Sequence, residues 1–349
     1  MASKQLRIID PATIPDAAVE FKRQCARLDE SLYFAALPDI RYAMDPEQLW
    51  LTEDVSDPEQ FNEQYIEPRT EGQLTFLLQL STLGVPMSVT FVFILAPLFG
   101  EYQHKGALIC IPFLLMAAAG LWLVTNSAMS RIRFNRQAQL VHVCYGNTVL
   151  HLPWRDVRPY TEFGHGYALR LCFPRPYLEM MQLPSQDPES IRKSKRPLIV
   201  EGDFDLHDQT FFDNNLHRLE FIRRYMEHGL KAIQADPKFV EQGLVRKPTG
   251  DDKLEWLNGL NNIAVVFLFF FNLFTLKPLL DRWIKHKAST FRWPEEVERL
   301  CTPGADLSAY DTRPVKSSAR YFYRYAGMDK GLIFVDHKGR QVQPRNQAG

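Results

Sequence analysis

Two stretches of this chain lack arginine, lysine, aspartate and glutamate altogether: residues 72–100 and residues 106–130. Runs of that length constrain what can be built, because about 20 helical residues cross a hydrocarbon layer of roughly 30 Å. In "ALICIPFLLMAAAGLWLVT" of the second run, 16 of 19 residues are apolar. The first run contains Gly84 and Pro86, which trouble a water-exposed helix but are tolerated in lipid. Only "EYQHK" separates the two. The expectation is a transmembrane helical hairpin over 73–130 with both ends on one side. Arg131, Arg133 and Arg136 follow at once, whereas the short loop carries only Lys105. Basic residues flanking a span stay inside, so these arginines are expected at the cytosolic membrane surface of a bacterial inner membrane. The acidic region 1–72 and the chain after Ser130 are then cytosolic. The polar start "MASKQLRIIDPATIPDAAVE" does not resemble a secretory leader.

A third run, "WLNGLNNIAVVFLFFFNLFTLKPLLDRW", is predicted as a third membrane helix over 256–283. Two placements fit it. A true span puts the basic tail outside, against the charge rule; a re-entrant or interfacial helix keeps it inside. Asn272 is costly in lipid unless paired, so it is expected to pack against the hairpin.

The next segment changes period. Ile132 and Phe134 alternate with Arg131, Arg133 and Asn135, and "QLVHVCY" continues with Val141, Val143 and Tyr145 on one face. Gly146-Asn147 is a hairpin-turn pair, followed by "TVLHLPW", "YALRLCF" and "RPLIVEG". Short strands of period two predict an antiparallel sheet with one buried face. In "DQTFFDNNLHRLEFIRRYMEHGLKAI", Phe212, Leu216, Leu219, Ile222, Met226, Leu230 and Ile233 recur in steps of three and four. That is the stripe of an amphipathic helix, capped by Asp208 and ended by Asp236-Pro237. The fold class read from these elements is an α+β membrane protein. It has the hairpin, a sheet domain over 131–236 closed by a helix, the third hydrophobic helix, and a small basic α/β tail over 284–349 with a β-hairpin.

The order of "RIRFNRQAQLVHV", "LPWRDV", further strands and a closing helix resembles a pleckstrin-homology-like module over about 130–235. The early hairpin, "RFNRQAQLVHV" with "LPW", and the late "FRWPEEVERLC" with "RYFYRYAGMDKGLIFVDHKG" resemble an uncharacterised family of Gram-negative inner-membrane proteins associated with type VI secretion and toxin–immunity loci. The resemblance implies an immunity or accessory protein that binds a toxin or secretion component; it implies no functional residues. The other reading is a membrane-embedded effector that perturbs the bilayer.

Lysine plus arginine and aspartate plus glutamate balance at 41 each, which argues against nucleic acid as a partner. The balance hides a gradient: residues 1–73 hold 15 acids and 7 bases, and residues 277–349 hold 14 bases and 8 acids. Five scattered cysteines give neither a disulfide framework nor a zinc knuckle. His207-Asp208 lacks spaced partner ligands, His217 and Glu220 do not form H-E-x-x-H, and His142 and His151 read as structural strand histidines. No enzyme motif, metal site or cofactor is expected. "RKSKR" contributes Arg192, Lys193, Lys195 and Arg196, candidates for anionic headgroups at about 1 kcal/mol each. The expected partners are therefore the lipid bilayer and a protein. The composition leaves the oligomeric state open.

Overall fold

The computed structural model describes residues 17–68, 115, 118, 131–145, 148–163, 167–173, 198–202, 212–245, 277–327 and 329–343. The chain divides into two units. One contains the described parts of 17–68, 131–245 and 294–343; the other contains Leu115, Ala118 and residues 277–293.

Among the described residues, the strands of the first unit form three four-stranded sheets. The first sheet has the order β3 (Tyr65–Ile66), β4 (Arg131–Asn135), β5 (Leu140–Tyr145), β6 (Thr148–Pro153), all antiparallel. The second has the order β1 (Phe34–Ala36), β7 (Arg158–Phe163), β8 (Tyr167–Phe173), β9 (Leu198–Gly202), again antiparallel. In the third, β12 (Gln341–Val342), β11 (Leu332–Val335) and β10 (Phe322–Tyr325) run antiparallel. There β2 (Ala43–Met44) joins β10 in parallel. The N-terminal region and the basic tail therefore supply strands to the same unit as the central segment.

The alternating segments are where the strands lie, and the register explains why. Ile132 pairs with Val143 and Phe134 with Val141, then Val143 with Leu150 and Val141 with Leu152. This apolar face enters the main core with Trp154. "LPWRDV" forms a 3-10 turn, Trp154–Asp156, and the Trp154 ring meets Phe134 edge-on at 6.0 Å.

Helix α2 (Phe212–His228) bears on strands of all three sheets: β4, β7, β8 and β2. Its apolar stripe is buried at Leu216, Leu219, Ile222 and Met226, and Phe221 and Tyr225 are buried too. Each such side chain contributes roughly 1.5–3 kcal/mol on full burial. The helix stops sooner than the stripe predicts. Gly229 takes φ +88°, a left-handed value that suits glycine at a helix end. Leu230–Ile233 then continues as a 3-10 turn, and α3 (Pro237–Glu241) follows. Helix α1 (Ala17–Asp29) reaches β7 where the Tyr160 hydroxyl donates to the Cys25 carbonyl at 3.5 Å. Helix α5 (Glu295–Cys301) buries Val297, Leu300 and Cys301.

The fold class expected from sequence is corrected. The described chain is mainly β-sheet with short helices, and no described helix is long and apolar enough to cross a membrane. The expected hairpin over 73–130, apart from helical Leu115 and Ala118, and residues 256–276 of the third helix lie outside the described residues. Residues 277–283 belong to α4 (Lys277–Thr290), whose "KPLLDRWIKHKAST" is too rich in charge to continue an apolar span. The sheet expected to bury one face is covered on both: in β4, Arg133 and Asn135 are buried alongside Ile132 and Phe134.

Candidate functional site

The second face of the first sheet carries polar groups aligned across neighbouring strands. Arg133 pairs with His142, and His142 pairs with His151. Glu67, directly after β3, reaches into the same row: its Oε2 accepts from Arg133 Nε at 3.0 Å and Nη2 at 2.8 Å. Helix α5 covers the row. Gln137 Nε2 donates to the carbonyls of Leu300 at 2.7 Å and Thr302 at 2.9 Å, and Asn135 Nδ2 donates to Leu300 at 2.9 Å. Leu300 packs with Ala138 and Leu140 beside them.

The hydrogen bonds assign the protons. Asn135 Oδ1 accepts from the Ala138 amide at 3.0 Å, so its nitrogen faces His142 Nε2 at 3.2 Å and donates to it. His142 must then carry its proton on Nδ1, 2.7 Å from His151 Nδ1. That bond needs an acceptor, which leaves the His151 proton on Nε2. This nitrogen is buried without a hydrogen-bond partner; Glu296 Oε2 is 3.9 Å away. The result is a directed chain, Asn135 to His142 to His151, aimed at a half-exposed carboxylate on α5.

Its electrostatics favour neutral rings. Burial, then His151 and Arg133, hold the His142 pKa well below its ordinary value. Burial lowers that of His151 as well, with Glu296 opposing. Cys301, whose Sγ is 3.4 Å from Asn135 Nδ2, is pushed by burial up to about 11, with Arg133 opposing. Such a thiol is no nucleophile at neutral pH. Burial works against the Arg133 charge, but Glu67, Cys301 and Glu298 together outweigh it and its pKa is raised. No group of three or more histidine, cysteine, aspartate or glutamate side chains among the described residues can hold a metal ion. The arrangement joins β4, β5 and β6 through a titratable histidine pair on the face that α5 approaches.

Three expected site residues are placed by the structure. Arg131 Nη1 lies 2.9 Å from Glu67 Oε1, Arg133 is buried between Glu67 and Glu298 Oε1 at 3.3 Å, and Arg136 Nη1 lies 3.7 Å from Glu63. The guanidinium of Arg133 also stacks 4.0 Å over the Tyr65 ring. Arg192, Lys193, Lys195, Arg196 and Asn272 lie outside the described residues, as do His207 and Asp208. His217 binds the Gln48 carbonyl at 3.0 Å and meets Trp50 edge-on.

Sequence reasoning missed Glu67, Asn135, Glu296 and Cys301, whose role depends on β3 and α5 meeting β4. It missed a second polar set as well. Buried Glu220 accepts from Arg223 at 2.6 Å and 2.7 Å, from Arg224 at 3.0 Å and from the Met44 amide at 3.1 Å. Glu227 accepts from Arg223 at 2.5 Å and from the Ser317 amide at 2.9 Å. The i, i+3, i+4 spacing of these charges was visible, but it reads equally as surface pairing. Comparison with protein families, curated proteins and solved structures returns no match.

Proposed function

We propose that this chain is a non-enzymatic interaction protein that acts by binding a protein partner, most concretely as an immunity or accessory protein of a type VI secretion or toxin locus. The observation that carries the reading is the closed character of the histidine row. Its rings are neutral, hydrogen-bonded to each other and to Asn135, and covered by α5. Groups arranged in that way join segments of the chain; they do not face a substrate. The partner class comes from the resemblance of "RFNRQAQLVHV" with "LPW" and of "FRWPEEVERLC" to the secretion-associated family, which also supports a place at the bacterial inner membrane. Apolar side chains left in solvent offer contact points: Leu32 and Tyr33 after α1, and Val240 and Leu244 around α3.

The test is co-expression with the toxin or secretion component encoded beside this protein, followed by calorimetry on the purified pair. Tight binding and restored growth are expected. Leu32→Asp with Tyr33→Asp, or Val240→Asp with Leu244→Asp, is expected to weaken binding at least tenfold in one of the two cases. No binding to any neighbouring product contradicts the reading. Lysis on expression of this chain alone contradicts it in favour of a bilayer-perturbing effector.

A further inference from the structure

We propose that the His142–His151–Glu296 chain is an acid-operated latch that holds α5 on the first sheet and releases it when the histidine pair takes up a proton. Two ring nitrogens of the pair accept hydrogen bonds. His142 Nε2 faces the Asn135 amide group at 3.2 Å, and His151 Nδ1 faces the proton on His142 Nδ1 at 2.7 Å. A proton from solvent can bind only at one of these. Either choice sets two donors against each other and breaks a hydrogen bond that lines the α5 contact. The new charge is also buried, which is costly unless it is paired.

The charged and titratable groups facing the pair set its direction. Arg133 on β4 repels a charge on His142. Its own carboxylates, Glu67 after β3 and Glu298 on α5, are engaged by its guanidinium, and Glu67 is shared with Arg131. Tyr65 lies under that guanidinium, and Cys301 stays protonated beside Asn135. On the far side Tyr310 packs on the Ala138–Leu140–Leu300 cluster. Glu296 alone attracts a proton to His151, and at 3.9 Å it makes no hydrogen bond with the ring in the docked arrangement. Released imidazoles return to a pKa of about 6.5. Protons are therefore bound more tightly with α5 away from the sheet, and acid drives the opening. The amide bonds that Gln137 and Asn135 make to the Leu300 and Thr302 carbonyls do not titrate.

Amide hydrogen exchange of the full-length chain at pH 7.5 and pH 5, corrected for intrinsic exchange rates, tests the latch. For residues 295–301 the opening constant is expected to rise on the order of 30-fold if one histidine takes up a proton and about a thousandfold if both do. Amides of α2 and β8 keep their protection. His151→Gln removes one titrating ring and cuts the rise to the one-proton value or less. Glu296→Gln, a change at a half-exposed site that leaves the core intact, removes the attraction for a docked proton, so the rise begins at the same pH and is at least as large at pH 5. Equal protection of α5 at both pH values overturns the latch. So does loss of protection in α2 and β8 in step with α5, or a pH response unchanged in both variants.

Discussion

Two buried polar clusters sit in the same unit, and they solve the problem of burial in opposite ways. Around α2, Arg223, Arg224 and the amides of Met44 and Ser317 surround the carboxylates of Glu220 and Glu227 with donors. On the first sheet, His142 and His151 stay neutral and share protons along one line, with the last nitrogen unsatisfied. A saturated ionic cluster is rigid and costly to break by removing one partner. A neutral chain with an orphan donor is one proton away from conflict. Helix α2 is therefore the fixed strut of the unit, and α5 is its conditional cover.

The largest expected effect comes from breaking the ionic cluster. Glu220→Ala strands Arg223 in the interior, and a loss of about 3–5 kcal/mol is expected in denaturant unfolding. A loss below about 1 kcal/mol would mean that the cluster is wetter than its burial implies.

Acid separates the two clusters next. The histidine pKa values are lowered in the folded state, so the unfolded chain binds more protons below about pH 6.5. Stability is complete above that value and declines as pH falls, by up to about 2 kcal/mol per histidine between pH 6.5 and 5. Glu227 behaves in the other sense. Burial raises its pKa, but the Ser317 amide and hydroxyl, Arg223 and His228 outweigh burial and lower it. Its contribution is present above its ordinary value near 4.5 and is lost only as pH falls through the lowered one. Stability measured against pH should therefore fall in two windows, the higher belonging to the histidines. A single fall below pH 4.5 would remove the distinction.

Gly229→Ala tests the joint between the clusters. A Cβ there meets Glu63 Oε2 at 2.9 Å and the Arg136 guanidinium at 3.0 Å, at φ +88°. A destabilisation of roughly 1–3 kcal/mol is expected. Glu63→Gln removes only the half-exposed partner of Arg136 at 3.7 Å and should change stability by less than about 1 kcal/mol. If the two variants are equally harmful, the ion pair matters more than the backbone turn.

How much of this was legible depended on distance along the chain. Ile132, Phe134, Val141 and Val143 announced their strands because period two is a local signal. The stripe from Leu216 to Met226 announced α2 for the same reason. The second covered face of the sheet was illegible, because Leu300 and Cys301 lie some 160 positions beyond the strands they cover. Strands β1, β2 and β3 have two or three residues each, too few for alternation to register. The opposite charges of the two chain ends were visible. Their meaning became clear only when β2 and β10 paired and Arg324 met Asp45 and Glu47. The uncharged runs dominated the reading of fold class, and the described architecture is set by the β segments around them.

The proton positions on His142 and His151 are the most direct test of the account, and nitrogen-15 imidazole spectra of the full-length chain at pH 7 report them. Two neutral rings of opposite tautomer are expected, His142 protonated on Nδ1 and His151 on Nε2, with a hydrogen-bonded Nδ1 proton between them. A charged ring at pH 7, or two rings of the same tautomer, would contradict the directed chain and with it the latch.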